Sequence, residues 1–272
     1  MMLLPEVRRN LNRLGLRPDR DLGQNFLVNP SIARKIAAAV PEEGSTMEIG
    51  PGLGSLTEQL LNRCGSLTAV EISARMSDFL KERFSGRSLT VVHGDFLKLD
   101  PSAIPGFPFS TIAGNLPYSI SSPILFRLLE DGFRHVTMAV IMLQREVAQR
   151  LAALDGGRDY GKLSLQIWPL FTVEVLLDAI QEDFFPPPEV RSRVLVLNRR
   201  SEPLASGDTY SRFRRLVKVS FAKRRKTIFN NLKTIMNREE ACGLLSSAGV
   251  DPDLRAEQVP PDRFLAMAEA MS

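Results

Sequence analysis

Cysteine and histidine are scarce in this chain of 272 residues, with two of each. Cys64 and Cys242 stand far apart with no ligand-spaced companions, so we expect neither a disulfide framework nor a metal site. Such thiol usage fits a reducing, cytoplasmic compartment. The opening residues, MMLLPEVRRN, lack the apolar core and small-residue cleavage site of a secretory signal. No run approaches the roughly 20 consecutive apolar residues of a membrane span. Internal repeats and low-complexity segments are missing too. His93 and His135, without partners at ligand spacing, are assigned structural roles, and the single tryptophan, Trp168, and the nine methionines are assigned to the core.

What is present is an ordinary globular composition, 44% hydrophobic and 24% charged, in a chain long enough for about two domains. Short β-branched and apolar runs at 46–50, 67–72, 89–92, 110–115 and 136–143 read as buried strands. Amphipathic segments at 31–40, 56–63 and 72–84 read as helices between them. This alternation predicts an α/β fold with a mostly parallel, doubly wound sheet. Runs at 172–180 and 192–200 would raise the count to seven strands, the last two as an antiparallel addition. After the polar stretch 201–208 the pattern turns helical at 210–225, 239–249 and 261–272. We therefore expect a domain over residues 1–203 and a small all-α domain over 204–272.

The net charge, +4, is too small to name a partner, but its distribution is uneven. Residues 1–35 carry seven basic and three acidic side chains, and residues 212–226 carry eight basic and none acidic. Lys223, Arg224, Arg225 and Lys226 are the densest part of the second cluster, which suits a phosphate-rich partner or a solvated helix face. Arg224 or Arg225 could also join the domains. Arg8, Arg9, Arg13 and Arg17 are a second nucleic-acid candidate or else a solvated tail.

Glu48-Ile49-Gly50-Pro51-Gly52-Leu53-Gly54 follows the first strand of the sheet and opens a helix. Its glycines permit a tight turn and close approach of a ligand to bare backbone. The Gly-x-Gly-x-Gly spacing departs from the dinucleotide form and suggests a cofactor without a pyrophosphate. Glu71 ends the next strand, where a carboxylate can accept both hydroxyls of a ribose. Asp95 and Phe96 end the third, where they could receive an adenine amine and its ring. Together these residues specify an adenosine-bearing cofactor.

The fourth strand delivers Asn115-Leu116-Pro117-Tyr118, which resembles the Asp/Asn/Ser-Pro-Pro-Tyr motif of amino methyltransferases. An exocyclic adenine amine is a weak nucleophile because its lone pair is delocalised into the ring. The Asn115 amide oxygen and the Leu116 carbonyl could accept its two N–H groups and aim the lone pair at an activated methyl. Pro117 stiffens the loop without adding a competing donor, and Tyr118 offers a stacking face for a flipped base.

The chain as a whole resembles the ribosomal RNA adenine N6,N6-dimethyltransferases, in particular the bacterial small-subunit type. The likeness rests on Leu22-Gly23-Gln24-Asn25-Phe26-Leu27, EIGPGLGSLT, Glu71, Asp95, NLPY, LQREVAQRL, YGKLSL, FFPPPEVRSRV and FAKRRKTIFNNL. It implies a Rossmann-like seven-stranded methyltransferase domain that uses S-adenosylmethionine. The substrate it implies is N6 of two adjacent adenosines near the 3′ end of 16S rRNA in an assembling 30S subunit. Because that partner is itself large, we expect a monomer. The cofactor set so implied comprises Gln24, Asn25, Leu27, Gly50, Gly52, Gly54, Glu71, Ile72, Asp95, Phe96 and Asn115. Phe184 would be a second aromatic at the target base, although spacing does not decide between it and Phe185. The close sibling is the macrolide-resistance type, which modifies 23S rRNA. A ribosome-assembly factor with secondary methyl transfer is the alternative from another class.

Overall fold

The computed structural model describes residues 2–19, 23–154 and 159–271; Arg20 and Leu22 lie outside them. Seven strands form the main sheet: β1 (Thr46–Ile49), β2 (Leu67–Glu71), β3 (Leu89–His93), β4 (Thr111–Asn115), β5 (Met138–Gln144), β6 (Phe171–Ala179) and β7 (Ser192–Arg199). Their order in space is β3-β2-β1-β4-β5-β7-β6. β1 pairs in parallel with β2 and β4, β2 with β3, and β4 with β5, whereas β7 runs antiparallel to β5. Every residue of β1 and β2 is buried, Thr46, Glu48, Thr68 and Glu71 included, so both faces of these strands are covered. β1 leads to β2 on one side and neighbours β4 on the other. The carboxyl ends of these strands therefore flank the switch point where open α/β sheets bind ligands.

Local chemistry sets the helix starts. In α2 (Pro30–Ala39) the Asn29 side chain accepts the Ser31 N–H at 2.9 Å and proline occupies the first turn. The N-terminal residues are not a solvated tail: Leu4–Arg13 is a helix, α1, whose Val7 and Leu11 pack with Met2 against Phe26, Leu53, Met76 and Phe79. Arg13 pairs with Glu82 at 2.6 Å, and the Arg8 guanidinium lies over the Phe185 ring at 5.0 Å. A two-residue antiparallel ribbon pairs Phe26 with Phe185 and Leu27 with Phe184.

The glycines after β1 do different work. Gly54 opens α3 (Ser55–Arg63) with φ +86°, and a Cβ there would lie 2.7 Å from the Phe84 ring and 2.9 Å from Leu80. Its side is therefore packed against the helix α4 (Ala74–Arg83) and its C-terminal Phe84, not open to a ligand. Gly54→Ala should combine left-handed strain with overpacking, a loss of about 2–4 kcal/mol. Gly86→Ala is the control: φ is +80° but nothing lies within 4 Å of the added Cβ. It should cost only the strain, about 1–2 kcal/mol. Denaturant titrations of the two variants compare the effects, and equal losses would remove the packing role of Gly54.

Two compact units emerge, one of Met1–Ala148 with Glu174–Asn198 and another of Gln149–Val173 with Arg199–Ser272. The second takes in a mid-chain segment that a single cut at residue 203 assigns to the first. The reason is Tyr160 and Leu165, which are buried among Phe213, Leu216, Ile228, Phe264 and Met267. The Tyr160 hydroxyl donates to the Val259 carbonyl at 2.9 Å. Between α4 and this unit's C-terminal part lie α5 (Ser121–Arg127), α6 (Arg145–Ala152) and α7 (Lys162–Ile167), followed by α8 (Gly207–Ser220), α9 (Ile228–Leu232), α10 (Arg238–Ser247) and α11 (Pro261–Ala270).

The helix expected over 210–225 ends at Ser220, and Lys223–Lys226 form an exposed turn instead. Four cations within one helical turn would repel one another. The buried Asn231 amide also donates to the Ser220 carbonyl at 2.8 Å and the Lys223 carbonyl at 3.3 Å, holding the turn from beneath.

Candidate active site

Strand ends β1, β2 and β4 and the segment Gly23–Leu27 surround an open cleft. Of the expected cofactor residues, Gln24, Asn25, Leu27, Gly50, Gly52, Glu71, Ile72 and Asn115 line it, as do Leu116, Pro117 and Tyr118. Gly50 and Gly52 have φ of +66° and +57° and present backbone to the cleft. Ile72 is 51% exposed, an apolar face without a protein partner at the cleft wall.

Glu71 is almost fully buried. Its carboxylate accepts from the Gly52 N–H at 3.0 Å and the Ser73 N–H at 2.9 Å, fixing its plane. Burial raises its pKa, with those N–H groups and that of Ile72 opposing. A carboxylate has about four acceptor directions, so these backbone groups do not exhaust its capacity.

Asn115 is oriented by a bond that no short-range pattern announces. Its Nδ2 donates to the Asn25 carbonyl at 2.9 Å, which directs Nδ2 to the N-terminal segment and leaves Oδ1 as the acceptor. The Leu116 side chain is buried, so only its backbone can serve a ligand. Pro117 lies under Gly50. The Tyr118 hydroxyl bonds Ser192 Oγ, and burial raises its pKa. Tyr118, with Gly23, Gln24, Asn25 and Ser119, also borders a second cavity, closed by Gln144 and Pro186–Val190.

Four expected residues lie elsewhere. Gly54 is a packing glycine, as described above. Asp95 accepts the Leu97 N–H at 3.0 Å and faces Lys98 Nζ at 3.3 Å, outside the cleft lining. Phe96 is buried against Phe133, ring centroids 5.4 Å apart, with the Arg127 guanidinium at 5.8 Å. Phe184 is a core residue, 3% exposed, among Leu27, Ile32 and Val194. Phe185 packs beside α1 under Arg8, so neither ring lines either cavity. Alternation along the two-residue ribbon turns one phenylalanine to each core.

Glu48 was passed over. It lines the cleft, is 1% exposed, and its Oε2 has no hydrogen-bond partner. Its signal was available: an acidic residue inside a buried strand, next to its last residue Ile49 and two positions before Gly50. The basic turn Lys223–Lys226 is wholly exposed apart from an ion pair between Arg224 and Glu257 at 3.9 Å, within the second unit. That pair lies inside one unit, not between two.

A doubly wound sheet with an antiparallel final strand, a bare-backbone glycine turn, a buried strand-end carboxylate and an Asn-Leu-Pro-Tyr loop fit a methyltransferase of exocyclic amines. Residues 16–272 match the family model described as ribosomal RNA adenine dimethylase, and the chain belongs to that family. It is 42% identical to the ribosomal RNA small subunit methyltransferase A of Myxococcus xanthus, covering 96% of this chain and 93% of the relative. The protein of the same name from Geobacillus thermodenitrificans is 35% identical with the same two coverages. Among solved structures, the 23S rRNA methyltransferase ErmE is similar, with a TM-score of 0.71, 31% identity, and coverage of 90% of this chain and 98% of that one. A dimethyladenosine transferase from Plasmodium falciparum has a TM-score of 0.74 at 26% identity, covering 89% and 95%. The chain is thus an rRNA adenine dimethyltransferase whose methyl donor is S-adenosylmethionine. No helix among the described residues is long and apolar enough to cross a membrane.

The cleft fits that donor on its own chemistry. Its lining contains two buried carboxyls and no lysine, arginine or histidine, which suits a cation. Glu71 keeps acceptor capacity at the cleft, Gly50 and Gly52 present bare backbone, and Ile72 exposes an apolar side chain.

Proposed function

We infer that this enzyme dimethylates N6 of two adjacent adenosines near the 3′ end of 16S rRNA, with the assembling 30S subunit as its substrate. The orientation of Asn115 carries the reading: its Nδ2 is engaged by Asn25, so Oδ1 is left to accept from a target amine. S-adenosylmethionine supplies an electrophilic methyl on a sulfonium. Asn115 Oδ1 and the Leu116 carbonyl accept the two N–H groups of the adenine amine, drawing its lone pair out of the ring toward that methyl. Tyr118 stacks on the flipped base, an interaction worth about 1–3 kcal/mol. As the new N–C bond forms the thioether leaves, and the amine proton passes to solvent after transfer.

In this reading Gln24, Asn25, Leu27, Gly50, Gly52, Glu71 and Ile72 hold the cofactor. Asp95, outside the cleft lining, keeps acceptor directions beyond its Leu97 and Lys98 contacts and joins them if the adenine reaches it. The second cavity, bordered by Tyr118, receives the target base and its neighbour, with Pro186–Pro188 as its rigid wall. The small-subunit names of the relatives favour 16S over 23S rRNA. Methyl transfer to immature small subunits, with large subunits as control, tests this. Transfer to large subunits alone would favour the 23S reading, and tight binding without transfer would favour an assembly factor.

Lys223, Arg224, Arg225 and Lys226 contact rRNA phosphates in this scheme. Replacing all four by Gln should weaken subunit binding and flatten its salt dependence by roughly 0.7–0.9 in slope per lost phosphate contact. The Arg224–Glu257 pair is long and exposed, so stability should change little. A fall in affinity with an unchanged salt slope would remove the phosphate role.

A further inference from the structure

Stacking on a base needs a ring face, which a phenylalanine supplies as well as a tyrosine. The Tyr118 hydroxyl is therefore free for another task, and it bonds Ser192 Oγ at 2.5 Å. Ser192 opens β7, is wholly buried, and pairs in register with Gln144 at the end of β5. Gln144 and Pro186–Val190 line the second cavity together with Tyr118. The tyrosine is thus held at both ends. At its root it opens the single-turn helix Tyr118–Ile120 and packs under Gly23, where an added Cβ would lie 3.0 Å from the Tyr118 nitrogen and 3.4 Å from its Cβ. At its tip stands a strand residue 74 positions further along the chain. Two torsions orient a tyrosine side chain, and an anchored tip restricts both.

We propose that Ser192 is a positioning residue for methyl transfer: it tethers the Tyr118 hydroxyl and so fixes the ring against which the target adenine stacks. The proposal rests on the reading that Tyr118 stacks on that adenine. Attack on the methyl needs the amine nitrogen about 3–3.5 Å away with its lone pair aligned. Asn115 and Leu116 hold only the amine edge of the base, so the plane of the base is set by the ring beneath it. A ring free to swing lets the amine drift from the Asn115 acceptor. The cost falls on the rate, because subunit affinity comes from contacts to phosphates elsewhere. The hydroxyl takes no part in proton transfer: burial raises its pKa, with the Ser192 bond opposing, and it stays protonated at neutral pH. Ser192 itself lines neither cavity, so it acts through Tyr118 and not on a ligand.

The test is a double-mutant cycle on the single-turnover rate of methyl transfer to immature small subunits, read across subunit concentration. Tyr118→Phe and Ser192→Ala should each lower the rate at saturation by about 3- to 10-fold, the rate equivalent of one net hydrogen bond. The half-saturating subunit concentration should stay within about twofold of wild type. The double variant should be no slower than the slower single one, because both substitutions remove the same tether. Calorimetry should give Ser192→Ala the wild-type affinity for S-adenosylhomocysteine, since Ser192 lies outside the cleft lining. Losses that multiply in the double variant would overturn the proposal and leave Ser192 acting through the fold at large. So would weakened S-adenosylhomocysteine binding, or a higher half-saturating concentration with an unchanged saturating rate. If Ser192→Ala does not fold, Tyr118→Phe decides alone, and a wild-type rate there removes the tether. Tyr118→Ala probes the underlying reading separately: a wild-type rate in that variant would overturn the stacking role on which the proposal rests.

Discussion

Replacing Asn115 by Ala is expected to lower the single-turnover rate of methyl transfer by about 10² to 10³, the typical loss of one preorganised partner in the transition state. The amine nitrogen becomes tetrahedral as it attacks, and the hydrogen bond to Oδ1 strengthens as charge develops on the N–H. Subunit binding through the basic turn should survive, since those side chains belong to the other unit. A complication is that Asn115 also donates to Asn25, so the Ala variant loosens the N-terminal segment as well. Asn25→Ala separates the two effects, because the Asn115 bond is to the Asn25 backbone carbonyl and survives that substitution. The first methylation leaves one N–H, so the second transfer needs a different arrangement of acceptors. A variant with residual activity should therefore accumulate monomethyladenosine, which mass spectrometry of digested rRNA resolves. A wild-type rate in Asn115→Ala would move the methyl-accepting position away from this loop.

Strands were the most legible part of the molecule, because a strand covered on both faces tends to an apolar run, as in Ala139–Leu143 and Ala69–Val70. Their ends were legible for the same reason: Glu71 and Asn115 interrupt those runs at the carboxyl edge. What pattern alone did not convey was contact at a distance. Gly54 shares the glycine turn with Gly50 and Gly52, yet its neighbours are Phe84 and Leu80 on a helix some 25–30 residues on. Phe184 and Phe185 are adjacent aromatics, and their burial follows from a ribbon partner more than 150 residues away, at Phe26 and Leu27. The helical break after Ser220 depends on Asn231, which reaches back to the Ser220 and Lys223 carbonyls. The mid-chain share of the second unit turns on Tyr160, tied to Val259. Glu48 was the converse case: its position could be read, but an unpartnered buried oxygen is visible only once its neighbours are placed.

Removing the Glu71 side chain should weaken S-adenosylmethionine binding by roughly two to four decades. Two hydroxyl bonds to a carboxylate are lost, each about 1.5–3 kcal/mol, and every 1.4 kcal/mol is about tenfold in affinity. Glu71→Ala also strips the Gly52 and Ser73 N–H groups of their acceptor, so the glycine turn itself would shift. Glu71→Gln is the sharper variant: one amide oxygen can still accept from backbone, but the second acceptor and the charge are gone. The protein's own pH dependence adds an internal check. The folded pKa of Glu71 is raised by burial, so its stabilising contribution is complete below the ordinary carboxylate range and is lost as pH rises through the folded pKa. Glutamine does not titrate, and the melting temperature of Glu71→Gln relative to wild type should therefore move in the variant's favour as pH increases. Calorimetry measures the affinity, and filter binding of subunits should show RNA affinity nearly unchanged. Cofactor affinity equal to wild type in both variants would leave Glu71 as a backbone cap for the turn, and would require the ribose to be held elsewhere in the cleft.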